Sequence, residues 1–356
     1  MSTPPPTPPV PPTRVVRRVA SSATPVPPAR PRAPASPIEA VHEEQARAAL
    51  VALRDEVATV VVGQDGVVTG LITALLVRGH VLLEGVPGVA KTLLVKTLAQ
   101  SLELETARIQ CTPDLMPADV TGQPVLDATG RATVFKPGPV FTNLLLADEL
   151  NRTPPKTQSA LLEAMEERQV SVEGQARGLP DPFLVIATQN PVEQEGTYPL
   201  PEAQLDRFLM KLTVGYPTLD EEDLILARHD QGLDPHDLSR VRPVAGVADL
   251  QAGRAAVQRI EVDPAVRRYI VELCRATRTA PAVSLGVSPR GATMLLHAAK
   301  AWAWLAGRTF LSPDEIKAVA RPALRHRILL RPEAALEGAT TEAVLERVLA
   351  TVPVPR

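Results

Sequence analysis

The stretch Gly85-Val86-Pro87-Gly88-Val89-Ala90-Lys91-Thr92 constrains the fold more than any other part of this chain. It follows the apolar run His80-Val81-Leu82-Leu83-Glu84 and opens a segment with leucines at 94, 98 and 102, the spacing of one helix face. A strand that feeds through a glycine-bearing turn and a Lys-Thr pair into a helix is a phosphate grip. Backbone N–H groups of such a turn point at the phosphate oxygens, Lys91 brings a compact charge to the β/γ-phosphates, and the Thr92 hydroxyl is a ligand for Mg²⁺. The usual spacing G-x-x-x-x-G-K-[ST] holds except that Ala90 replaces the second glycine. An L-residue takes φ > 0 only at a cost, so the reading expects no left-handed residue at 90 and gives that freedom to Gly88.

A second segment fits the first. Asn143-Leu144-Leu145-Leu146-Ala147-Asp148-Glu149 is a continuous apolar run ending in two carboxylates, the pattern of a central parallel strand buried on both faces. Ligands of such sheets bind at strand ends. Asp148 is expected to hold Mg²⁺ and Glu149 to polarise an attacking water. Phe183-Leu184-Val185-Ile186-Ala187-Thr188-Gln189-Asn190-Pro191 is another strand with a polar end, expected beside the first. There Asn190 would orient the water, although Asn-Pro alone also reads as a turn.

Composition narrows the class. The length of 356 residues suits about two domains at ~100–200 residues each, with 45% hydrophobic but only 3% aromatic residues, so the core must be aliphatic. A net charge of −2 gives no general pull toward DNA or an anionic membrane. Cys111 and Cys274 are far apart and read as buried thiols of a reducing compartment; neither they nor the six histidines show metal-site spacing. No apolar run approaches the ~20 residues that span a bilayer, and the N-terminus has no apolar signal region, so a cytoplasmic location is expected.

Residues 1–36 are rich in Pro, Ala, Ser, Thr and Arg and contain no acid, which reads as a disordered tail. Ser36-Pro37-Ile38-Glu39 is a capping box that opens the ordered part. Strands are expected near 80–84, 106–111, 144–148 and 183–188, and helices near 66–78, 91–101, 155–168 and 202–209. Two insertions interrupt them: a Gly/Pro-rich segment from Pro113 to Pro139, and Gln169 to Pro182, whose Val170-Ser171-Val172-Glu173-Gly174 reads as a β-hairpin. After about residue 218 strand signals stop. Helix starts recur at Asp263-Pro264, Ser288-Pro289 and Ser312-Pro313-Asp314-Glu315. The expected division is 1–36 tail, 37–218 α/β domain and 219–356 helical domain.

These motifs in this order resemble an AAA+ ATPase of the MoxR family. The resemblance rests on the 85–92 and 148–149 segments and on Arg108-Ile109-Gln110, Thr112-Pro113-Asp114-Leu115 and Leu150-Asn151-Arg152. It also rests on Pro154-Pro155-Lys156-Thr157-Gln158, Ala187-Thr188-Gln189-Asn190-Pro191, Leu205-Asp206-Arg207-Phe208 and Leu324-Arg325-His326-Arg327-Ile328. It implies a P-loop core of parallel sheet and flanking helices, with a helix-2 insertion, a pre-sensor hairpin and a C-terminal helical lid. By position it implies ATP and Mg²⁺ as cofactors, base contact near Val62, Gly63 and Gln64, Asn190 as sensor 1, Arg207 as arginine finger and Arg290 as sensor 2, in cis or in trans. Arg152 is a second candidate for a contact between subunits. It further implies a homo-oligomeric ring, expected to be a hexamer, and a client protein with a von Willebrand A domain. A nucleic-acid motor of the same superfamily is the main alternative, and a non-hydrolysing nucleotide-gated scaffold a third reading. The hairpin region's Arg168 and Arg177 are outweighed by Glu166, Glu167, Glu173 and Asp181, and that region has no aromatic before Phe183, which disfavours strand tracking.

Overall fold

The computed structural model describes residues 37–86, 88–126, 133–190, 197–232, 234 and 237–355. The tail, Ser36 of the first capping box, Pro87 of the phosphate turn, 127–132 of the first insertion and Pro191 lie outside the described residues. In chain order, helices α1 (Pro37–Ala58) and α2 (Asp65–Leu76) precede strand β1 (Val81–Glu84), helix α3 (Lys91–Ser101) and β2 (Thr106–Gln110). Helix α4 (Pro117–Thr121) leads into the antiparallel pair β3 (Gly122–Leu126) and β4 (Thr133–Pro137). Then come β5 (Leu144–Asp148), α5 (Pro155–Glu167), the hairpin β6 (Gln169–Val172) and β7 (Gln175–Gly178), β8 (Leu184–Gln189), α6 (Glu202–Leu205) and β9 (Met210–Thr213). The remainder is α7 (Leu219–Asp230), α8 (Val247–Arg259), α9 (Pro264–Thr279), β10 (Val283–Leu285), α10 (Pro289–Leu305), α11 (Pro313–Leu324), β11 (Leu329–Leu330), α12 (Pro332–Leu336) and α13 (Thr341–Thr351).

The central sheet is parallel throughout, in the order β2-β5-β8-β1-β9. Side chains alternate between its faces, and in the middle strands β5, β8 and β1 both faces are buried. Val81, Leu83, Leu144, Leu146, Leu184 and Ile186 join the core shared with α1, α2, α3 and the C-terminal helices. Leu82, Leu145, Ala147, Val185 and Ala187 join a second core with Leu161, Leu162 and Met165 of α5. Burial on both faces is why these strands are continuous apolar runs rather than alternating ones. Register brings the polar ends into line: Gln110 pairs with Asp148, and Glu84 lies between Gln189 and Thr213.

Two expectations need correction. The helix expected over 202–209 ends at Leu205, and Met210–Thr213 is an edge strand on β1. The helical C-terminal region also contains the short antiparallel pair β10–β11. The first insertion holds α4 and the β3–β4 pair. The second insertion forms the expected hairpin, closed by Glu173 (φ 51°) and Gly174 (φ 76°), the left-handed pair that a two-residue hairpin turn requires. Cap signals are realised as read: Asp263 accepts from Ala265 N, Ser288 from Gly291 N, and Ser312 with Glu315 forms a capping box.

Candidate active site

The C-terminal ends of β1, β5 and β8 open onto a cleft of about 780 Å³, within the range of nucleotide-sized pockets. Val62, Gln64, Gly88, Val89, Ala90, Lys91, Thr92, Asp148, Glu149 and Asn190 line it. Residues from four separate segments of the chain, all singled out from sequence, therefore meet in one place.

The phosphate turn is built by two left-handed residues. Gly88 has φ 86°, and Ala90 has φ 57° and ψ 25° as the residue capping α3. The expectation of no left-handed residue at 90 is wrong. A turn that aims successive N–H groups inward alternates right- and left-handed dihedrals, and here the alanine adopts them despite its Cβ. Gly85 is needed for a different reason: a Cβ there would lie 2.5 Å from the Val214 carbonyl at the exit of β9. Its own carbonyl accepts from Lys91 Nζ at 2.7 Å. Burial lowers the Lys91 pKa, opposed by the charges of Asp148 and Glu149.

The two carboxylates are held by neighbouring strands. Thr188 Oγ1 donates to Asp148 Oδ1 at 2.6 Å, and Arg108 Nη2 donates to Asp148 Oδ2 at 2.8 Å. Glu149 is left-handed (φ 58°), and its N–H donates to Thr188 Oγ1 at 2.8 Å. Its Oε2 accepts from Gln110 Nε2 at 3.2 Å and Arg152 Nη1 at 3.0 Å. A strained backbone at the strand end thus turns Glu149 away from the sheet, while Gln110 and Arg152 fix its carboxylate. Asn190 is buried on the same edge.

Other sequence candidates fall elsewhere. Gly63 lines the adjoining groove with Arg321 and Arg325. Gly85 and Val86 support the turn from behind and do not line the cleft. Arg207 and Arg290 are also outside it: Arg290 Nη2 lies 2.6 Å and Arg207 Nε 3.8 Å from Glu166 Oε2, at the end of α5. Arg108, Lys96, Tyr216, Pro217, Ile225, Arg228, His229 and Leu238 line the cleft without having been singled out for it. Of these, only Arg108 stood inside a quoted motif. Tyr216 is 74% exposed, an aromatic surface at the cleft mouth that no local pattern distinguishes from a core residue.

Comparison with known proteins decides the family. Residues 80–210 match the family described as ATPase family associated with various cellular activities (AAA), and residues 275–348 match the AAA lid domain. The chain is 46% identical over 314 residues to the uncharacterised protein YeaC of Bacillus subtilis, covering 88% of this chain and 97% of that one. It is 43% identical over 312 residues to Chaperone MoxR1 of Mycobacterium tuberculosis, covering 85% and 81%. The chain belongs to the MoxR family of AAA+ ATPases. The crystal structure of a candidate ATPase from Cytophaga hutchinsonii superposes with a TM-score of 0.82 at 40% identity, over 89% of this chain and 98% of the other. For a MoxR-family ATPase, the parallel sheet is the AAA core and the helices of 275–348 are the lid.

The donor set suits magnesium and not a protein-caged metal. Among the described residues, no group of three His, Cys, Asp or Glu side chains converges. One carboxylate and one hydroxyl, Asp148 and Thr92, are the hard oxygen ligands expected where phosphates complete the shell. Cys111 and Cys274 are buried, with thiols pushed up to about 11 by desolvation, so neither is a nucleophile here. No helix among the described residues is long and apolar enough to cross a membrane.

Proposed function

We propose that this chain hydrolyses ATP at the interfaces of a homo-oligomeric ring, a hexamer, and uses the resulting movement to remodel or activate a client protein. The observation that carries the proposal is a division of groups. Lys91, Thr92, Asp148, Glu149 and Asn190 share one cleft, whereas Arg207 and Arg290 sit together on Glu166 outside it. A triphosphate in the cleft meets neither arginine of its own protomer. A second copy brings them, and both then act in trans.

In this reading Val62 and Gln64 flank the base and the 88–92 turn holds the phosphates. Thr92 and Asp148 would hold Mg²⁺, which supplies charge neutralisation at the transferring phosphoryl group. Lys91 leaves the Gly85 carbonyl for the phosphate oxygens. Glu149 accepts the proton of the lytic water, and Asn190 orients that water. Arg207 stabilises charge from the next protomer, a contribution on the order of 10³–10⁵ in rate for such arginines. The β3–β4 and β6–β7 pairs carry the movement; they already touch, with the Arg177 guanidinium 4.1 Å from the centre of the Phe135 ring. The client class that the family suggests is a protein with a von Willebrand A domain, and the location is cytoplasmic.

Phosphate release and fluorescent-ATP binding test the reading. Lys91→Ala loses nucleotide binding. Glu149→Gln binds ATP, scarcely turns it over and accumulates as the assembled ring on a sizing column. Arg207→Ala binds but does not hydrolyse, and mixing it with Lys91→Ala copies restores part of the activity. Wild-type turnover by Glu149→Gln removes it as the base; no recovery on mixing removes the trans assignment of Arg207.

A further inference from the structure

The run Arg325-His326-Arg327, between α11 and β11, plays no part in the cleft, yet all three side chains reach across to a single stretch of the AAA core. Arg325 Nε and Nη2 donate to the Lys211 carbonyl at 2.9 and 2.6 Å, and Nη2 also to Thr213 Oγ1 at 2.6 Å. His326 Nε2 donates to the Phe208 carbonyl at 3.1 Å. Arg327 Nε donates to Asp206 Oδ1 at 2.8 Å, and its Nη2 to the Phe208 carbonyl at 2.5 Å and the Asp206 carbonyl at 3.3 Å. The Arg327 side chain is 1% exposed. A Cβ on Gly291 would come within 2.7 Å of Arg327 Cδ, so the first turn of α10 leaves room for this guanidinium.

The grasped stretch, 206–213, contains Arg207. Arg327 holds the backbone on both sides of it, and Asp206 is the pivot: its other oxygen, Oδ2, accepts from Ser288 Oγ at 2.9 Å. Ser288 caps α10, and Arg290 is two residues further on. A buried guanidinium with most of its N–H groups bonded has one geometry. The Arg327–Asp206–Ser288 tie therefore sets the Arg207 backbone and the Arg290 backbone relative to each other, one from the core and one from the lid.

We propose that Arg325-His326-Arg327 is a clasp and that Arg327 is the positioning residue for Arg207, holding it where a neighbouring copy's phosphates arrive. The inference rests on the reading that Arg207 acts in trans. The clasp acts on the neighbour's turnover and leaves the protomer's own nucleotide binding untouched.

The experiment uses full-length Arg327→Gln, Arg207→Ala, the double variant and Lys91→Ala. In Arg327→Gln, kcat falls about 10²-fold, the scale of a misplaced catalytic group, with fluorescent-ATP affinity unchanged. Mixing with Lys91→Ala copies, whose clasp and finger are intact, restores turnover. The double variant is no slower than Arg207→Ala alone. A folded Arg327→Gln with wild-type kcat overturns the clasp, as does a loss that mixing does not relieve or that adds to the Arg207→Ala loss. Wild-type kcat in Arg207→Ala instead sinks the trans-finger reading itself. Should Arg327→Gln fail to fold, Asp206→Asn carries the same test, because it withdraws the charge and keeps the shape; the same kcat loss and rescue are expected, and their absence overturns the proposal.

Discussion

Arg108 and Asp148, on adjacent strands, form a 2.8 Å ion pair at the mouth of the cleft. The guanidinium occupies Oδ2 of the carboxylate that the proposed mechanism gives to Mg²⁺, so metal and arginine compete for one carboxylate. Arg108 is half exposed, and a pair of that kind is worth about 1 kcal/mol at most. Arg108→Gln is expected to lower the Mg²⁺ concentration at the midpoint of fluorescent-ATP binding, by no more than about fivefold. A midpoint that rises would mean Arg108 assists the metal–nucleotide complex.

Ala90 gives a prediction about stability. Holding an alanine at φ 57° costs about 1 kcal/mol or more, and glycine is also the better residue at a helix N-cap. The added freedom of glycine in the unfolded chain takes back part of that, on the order of 0.4–1 kcal/mol. Ala90→Gly is therefore expected to be neutral or to stabilise by about 0.5 kcal/mol with nucleotide affinity retained, and Ala90→Val to destabilise. Urea unfolding at constant slope measures both.

The contrast between Ala90 and its surroundings shows what the chain states locally. Leu144–Ala147 and Val185–Ala187 declare a doubly buried strand, because each residue is apolar whichever face it occupies. The phosphate turn, both carboxylates and Asn190 were legible as strand ends. The left-handed dihedral of Ala90 was not, since alanine has no local preference for it and the surrounding turn imposes it. Met210–Thr213 was invisible as a strand for a related reason: four residues following a helix start take their conformation from pairing with β1. Arg108 sits 40 positions before Asp148, and only the β2–β5 register joins them. Likewise Leu205–Phe208 and Leu324–Ile328 each looked like a motif, but their meeting is a property of the docked lid.

Acid stability should depend on His80. Its ring is buried between two backbone groups, with Nδ1 accepting from Val185 N at 2.9 Å and Nε2 bonded to the Met165 carbonyl at 3.1 Å. Desolvation is the main cause that lowers its pKa from 6.5 to about 4. The unfolded chain binds a proton near pH 6.5 and the folded chain does not, so protons favour unfolding. The contribution is complete above about pH 6.5 and is lost progressively as pH falls toward 4, reaching about 3 kcal/mol. Buried His326, shifted in the same direction, adds to it. Melting temperatures between pH 7 and 4 should show a shallower decline in His80→Gln than in the wild type; identical slopes would exclude His80 as a source.

Glu166 offers the functional counterpart. Its carboxylate is shared by Arg207 and Arg290, at 3.8 and 2.6 Å, and the three side chains are 33–41% exposed. In the proposed ring both guanidiniums leave it to meet a neighbour's phosphates. Its charge therefore opposes assembly of the working site, by an amount limited to about 1 kcal/mol by solvent screening. Glu166→Gln keeps the side-chain shape and removes the competitor. Turnover at limiting protein concentration is expected to rise up to about fivefold, with nucleotide affinity unchanged and the gain shrinking in high salt. Arg207→Ala should abolish the gain, because the freed arginine is what produces it. A fall in turnover would assign Glu166 the opposite part: a carboxylate that aims the two arginines, whose removal lets them stray.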